Sequence, residues 1–175
     1  MTFLFTDVEG STRRWEADAD GMRAALAALR RARAIAEGSN RITESIVAGI
    51  VCSLEAEHGD PMAAFDYVAL AIRTFDDAGH TAMMRTPLAS LAALFDRVAR
   101  YEPAATIAGF AASAMTAAFI PEITAAIAHL RDVLGDPAYE SLARAGDKMT
   151  TAAMATYAYD QINNKRLGLP TDIFR

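Results

Sequence analysis

Cysteine is almost missing from this sequence. Cys52 is the only one in 175 residues, so no intrachain disulfide forms, and neither a CxxC pair nor a Cys/His metal cluster is encoded. It lies in the apolar run Ile50-Val51-Cys52, which reads as a buried structural thiol rather than a reactive one. Positive charge is also short. Lys and Arg number 17 against 22 Asp and Glu, for a net charge of −5 and a pI near 5.2. General nucleic-acid binding needs a basic surface that displaces counterions, so no direct nucleic-acid binding is expected. There is no GxxxxGK[ST], hence no phosphate loop for ATP hydrolysis. His58, His80 and His129 are scattered without metal-ligand spacing and read as solvated histidines.

Long hydrophobic runs are missing too. Asp7 and Glu9 interrupt the apolar start, so no signal peptide is expected. The stretch from Pro103 to Pro121 carries no charge and approaches membrane-spanning length. It is mostly Ala, Thr and Ser, however, and these contribute little to insertion. A soluble, cytoplasmic protein without a membrane span is expected. With 53% hydrophobic and 22% charged residues, the chain has the composition of a globular domain with a real core.

What the sequence does contain is helical periodicity. Residues Thr2 to Phe5 read as a short strand, Gly10-Ser11-Thr12 as a turn, and about Trp15 to Glu37 as a helix with apolar Met22, Leu26 and Leu29. Arg23, Arg30, Arg31 and Arg33 on that helix read as a solvated face. Ile42, Ile46, Ile50 and Leu54 form the next stripe, with Gly49 as a close-packing point. Phe65, Val68, Ile72 and Phe75 follow, closed by Gly79; then Leu88, Leu91, Phe95 and Val98 after Thr86-Pro87. Ile107, Ala111, Ala114 and Met115 mark one further helix, and Ile123, Ile127, Leu130 and Leu134 another. A short helix with Tyr139 and Leu142 is broken by Gly146, and a last one spans about Thr150 to Asn163, presenting Met154, Tyr157 and Ala158.

Acidic-proline pairs recur at 60/61, 102/103 and 136/137, in steps of 42 and 34 residues. An acidic N-cap followed by proline at the first helical position suits a helix start. Helix-pair repeats have periods of about 34 to 47 residues. The expected fold is therefore all-α, a TPR-like stack of antiparallel helix pairs over 39–163, with a short extended segment at the N-terminus and a tail over 164–175. That tail, Asn164-Lys165-Arg166-Leu167-Gly168-Leu169-Pro170 at its start, has no helix-turn-helix pattern.

Two stretches bear a family resemblance. Phe3-Leu4-Phe5-Thr6-Asp7-Val8-Glu9-Gly10-Ser11-Thr12, followed by Trp15-Glu16, resembles the opening of actinobacterial class III adenylate/guanylate cyclase domains. Residues from about Arg41 to Ile162 resemble the TPR-like region of large actinobacterial regulators. In those proteins a cyclase domain precedes an ATPase module, helical repeats and often a LuxR-type DNA-binding domain. The resemblance implies that 1–38 is a cyclase remnant and that Asp7 matches one of two aspartates holding the catalytic metals. Carboxylates at strand ends do ligate Mg²⁺ or Mn²⁺.

A cyclase also needs a second metal aspartate, base-recognition residues and an Asn/Arg pair, and the repeats begin before a sheet to carry them can form. His58-Gly59-Asp60-Pro61 is similar to a cyclase Gly-Asp turn but fits a helix cap better. The expectation is a noncatalytic scaffold or regulatory module that binds a protein partner through a groove and requires no cofactor. A homodimer is expected, because a truncated stack exposes an apolar end. The alternative is a vestigial cyclase-related protein in which Asp7 binds Mg or Mn with a nucleoside triphosphate.

Overall fold

The computed structural model describes residues 19–36, 41–58 and 60–168, and every regular element among them is a helix. In chain order these are α1 (Ala19–Ala36), α2 (Arg41–His58), α3 (Pro61–Asp77), α4 (Arg85–Arg97) and α5 (Tyr101–Ala111). They continue with α6 (Ala114–Phe119), α7 (Glu122–Leu134), α8 (Asp136–Asp147) and α9 (Thr151–Gly168). The fold is all-α, as the periodicity predicts. The strand expected at Thr2 to Phe5, the turn at Gly10-Ser11-Thr12 and the metal candidate Asp7 lie outside the described residues.

Each helix packs on the next from α1 to α5. α7 then lies against α4 and α5, and α8 against α5 and α7. This arrangement fits a stack of helix pairs, in which neighbours bury what one pair alone cannot. α9 departs from a linear stack. It returns past the intervening helices to pack on α3 and α5. Its face of Met154, Ala155, Ala158 and Ile162 is buried there. The Arg100 guanidinium donates to Gln161 Oε1 at 2.6 Å, tying the start of α5 to α9. One core runs through α2 to α9, with Phe65 and Phe95 rings 5.4 Å apart at its centre.

Helix ends explain much of the chain path. Asp60 caps α3, accepting from the Met62 amide at 2.8 Å, with Pro61 directly after it. Gly79 ends α3 at φ +66°, so that its own amide reaches the Asp76 carbonyl and the His80 amide reaches Phe75. The same two bonds end α4, but there Ala99 occupies the left-handed position at φ +57°. The other two acidic-proline pairs do not act as caps. Arg100 precedes α5, putting Glu102 and Pro103 inside the first turn, and Gly135 precedes α8, putting Asp136 inside it. Proline is tolerated at both places because first-turn amides have no intrahelical acceptor.

Four local expectations are corrected by packing. The helix expected from Pro103 through Met115 is two helices. The Ser113 hydroxyl accepts from the Thr116 amide while the Thr116 hydroxyl accepts from the Ser113 amide, and this reciprocal cap restarts the chain as α6. Met115 is consequently 55% exposed, not core. Among the described side chains of α2, Ser45, Ala48, Val51, Cys52 and Glu55 are buried, while Ile50 is 47% exposed. Gly49 is not a close-packing point, since a Cβ there would meet nothing within 4 Å. α8 ends one residue after Gly146, and a Cβ on that glycine would run into the Thr106 carbonyl of α5.

Candidate functional site

α3 has two faces. Phe65, Val68, Ile72 and Phe75 are buried in the core, while Asp66, Ala69, Leu70, Arg73, Asp76 and Asp77 follow the same helical period on another side. Because α9 returns to α3, this second stripe becomes one wall of a groove, and Tyr159, Ile162 and Asn163 of α9 form the other. The groove is open to solvent and offers about 650 Å³. Its apolar lining is Ala69, Leu70 and Ile162, with the Tyr159 ring beside them. Asp66, Arg73, Asp76, Asp77 and Asn163 are exposed around it.

The electrostatics of the groove are unbalanced. Three carboxylates face one guanidinium among its lining residues. The Tyr159 hydroxyl oxygen is enclosed, and the Arg73 side chain lies beside it. Burial raises the Tyr159 phenol above its ordinary pKa and Asp76 adds to this, while Arg73 works in the opposite direction. The phenol is therefore neutral at physiological pH and adds no charge to the groove.

A second, much smaller cavity lies where α2, α4 and the start of α7 meet, lined by Cys52, Ser90, Arg97 and Glu122 among others. Its volume is about 20 Å³, room for one water molecule and no substrate. Cys52 is buried as expected, and burial pushes its thiol up to about 12, with Glu122 contributing. A thiol held protonated is a poor nucleophile. The buried Ser90 hydroxyl has no hydrogen-bond partner, so no base activates it.

The arginine-rich face of α1 is not wholly solvent. Arg23 pairs with Asp20 at the surface, and Arg31 is exposed. Arg30, however, reaches across to Glu55 of α2, donating from Nε at 2.6 Å. Glu55 has no exposed side-chain surface and also accepts from the Asp60 amide at 3.0 Å. The hydrogen bond to Glu55 holds the Arg30 guanidinium above its ordinary pKa. With Leu29 packed near Val51, this pair attaches α1 to the rest.

His80 is exposed, and His129 bonds to Asp96 at 2.8 Å beside the Tyr101 ring. Among the described residues no three His, Cys, Asp or Glu side chains converge to hold a metal ion, and no helix is long and apolar enough to cross a membrane. Comparison with protein-family models, with curated proteins and with solved structures gave no match to this chain.

The groove aspartates were not singled out in the sequence. The signal that finds them is the placement of Asp66, Arg73, Asp76 and Asp77 on one side of a helix whose other side is apolar. That pattern alone reads as an ordinary solvated face. It becomes a wall only when α9 is set against it.

Proposed function

We propose that this chain is a noncatalytic helical scaffold or regulatory module that engages a protein partner. The observation that carries this reading is the groove between α3 and α9, an open recess lined by both apolar and charged side chains. Stacked helices generate such recesses, and binding is their usual use. The chemistry available in the small cavity points the same way, since its thiol is protonated and its buried serine has no base. The regulatory part of the proposal rests on the resemblance of the chain to cyclase-linked regulators.

Affinity capture from cell extract tests it, using wild type, Ala69→Trp to fill the groove floor, and Asp132→Asn on the exposed side of α7. A partner retained by wild type and Asp132→Asn but lost with Ala69→Trp is the expected result. Equal retention by all three would move binding away from the groove. The sequence Phe3 to Thr12 favours a second reading, nucleotide and metal binding through Asp7. A thermal shift with Mn²⁺ and ATP or GTP, abolished by Asp7→Ala, would put that reading first.

A further inference from the structure

We propose that the small cavity between α2, α4 and α7 binds one ordered water molecule. The Ser90 hydroxyl and the Glu122 carboxylate hold it, with the Cys52 thiol as a weaker third partner. Ser90 lies inside α4 and is only 7% exposed, and its Oγ has no hydrogen-bond partner in the protein. Other helix hydroxyls of this chain find a partner locally. Thr74, Thr106 and Thr156 each donate to the carbonyl four residues back, at 2.9, 3.0 and 3.0 Å. Ser90 makes no such bond to Thr86. A buried hydroxyl without a partner is costly, and Ser90 lines this cavity.

The size and chemistry of the cavity select water. Its volume of about 20 Å³ exceeds the roughly 10–15 Å³ that one water needs and falls far below that of an organic ligand. Among its lining residues, Ser90 can donate and accept, the half-buried Glu122 accepts, and Cys52 offers a weak S–H donor. Glu122 lies near enough to Cys52 to help raise its thiol. Three polar groups from three helices match the two to four hydrogen bonds that a buried water makes. A metal ion does not fit. One carboxylate and a protonated thiol are too few ligands, and no three ligand side chains converge here among the described residues. At the exposed edge of the cavity Arg97 donates to the Ala56 carbonyl at 2.9 Å, which joins α4 to α2 directly. The water adds the start of α7 to that link.

Oxygen-17 relaxation dispersion tests this, because it counts water molecules held longer than nanoseconds and is blind to exchange of hydroxyl protons. Wild type is compared with Ser90→Val, which removes the hydroxyl and fills the cavity. Ser141→Val, on the exposed side of α8, is the control. Ser90→Val is expected to hold one long-lived water fewer than wild type and Ser141→Val. A crystal structure of wild type is expected to place a water oxygen within about 3.2 Å of Ser90 Oγ and of a Glu122 carboxylate oxygen. Equal water counts in the three proteins overturn the proposal. So does a crystal structure in which the cavity is dry and Ser90 donates to the Thr86 carbonyl. Should Ser90→Val fail to fold, the wild-type crystal structure decides the matter alone. Neither Ser90 nor Glu122 lines the α3–α9 groove, so the outcome leaves the partner reading to its own test.

Discussion

Replacing Gly146 by alanine should destabilise the protein, although alanine is the better helix former by about 1 kcal/mol. The reason is the crossing of α5 and α8. A Cβ on Gly146 would overlap the Thr106 carbonyl oxygen and sit 2.9 Å from its carbon. A Cβ on Gly109 would likewise overlap the Ala143 backbone, 2.5 Å from its carbonyl carbon. Each glycine admits the backbone of the other helix. The obstacle in both cases is main chain, which has no rotamer to escape into, so the helices must part by roughly 1 Å along a close-packed seam.

Overpacking costs about 1–3 kcal/mol where side chains can yield. With backbone in the way the upper end applies, and we expect Gly146→Ala to cost a net 2–3 kcal/mol or about 4–12 °C in Tm. Chemical and thermal denaturation of Gly146→Ala, Gly109→Ala and the double variant measure this. Once one alanine has pushed the helices apart, the second finds part of its room already made, so the double variant should lose about 1 kcal/mol less than the two singles added. Gly49→Ala is the control. It lies within α2 with nothing near its Cβ position and should gain about 0.5–1 kcal/mol. A Gly146→Ala protein as stable as wild type, or stabilised like Gly49→Ala, would refute the close crossing.

Three further outcomes follow from single sites. Ala99→Gly should raise stability by about 1 kcal/mol in a urea titration, because Ala99 holds the left-handed position at φ +57° without glycine's freedom. Arg30→Ala should cost about 1.5–3 kcal/mol by the same titration, since it removes the charged partner of a carboxylate with no exposed side-chain surface. Cys52, with its thiol raised from 9.0 to about 12, should react with iodoacetamide at pH 8 about a thousandfold more slowly folded than unfolded. The sign of the linkage is then fixed. The unfolded thiol ionises first, so stability falls as pH rises from 9 toward 12, by about 1.4 kcal/mol at pH 10 from this group.

Helix faces were legible where one apolar stripe meets one core. Phe65, Val68, Ile72 and Phe75 recur at helical spacing and are buried, and Asp60-Pro61 starts its helix as cap chemistry dictates. The failures share a cause. Ile50 is apolar yet exposed, because α2 buries the face that carries Glu55 and Arg30 reaches over to neutralise it. Met115 is exposed because Ser113 and Thr116 cap each other and begin a new helix. Gly146, which the sequence shows only as a helix end, also admits the Thr106 backbone of α5. In each case a residue from another element overrides local preference, and one sequence does not show which elements meet.

The groove is the extreme instance of this. Its walls are some 90 residues apart in the chain, joined only because α9 turns back instead of extending the stack. Ile162 belongs to both structures: it is buried in the core that fixes α9 and it lines the recess that α9 creates. The same contact therefore fixes α9 and shapes the recess. An occupant touching both Leu70 and Tyr159 binds only the arrangement in which α9 is docked, so occupancy must stabilise that docking by the amount that docking strengthens binding.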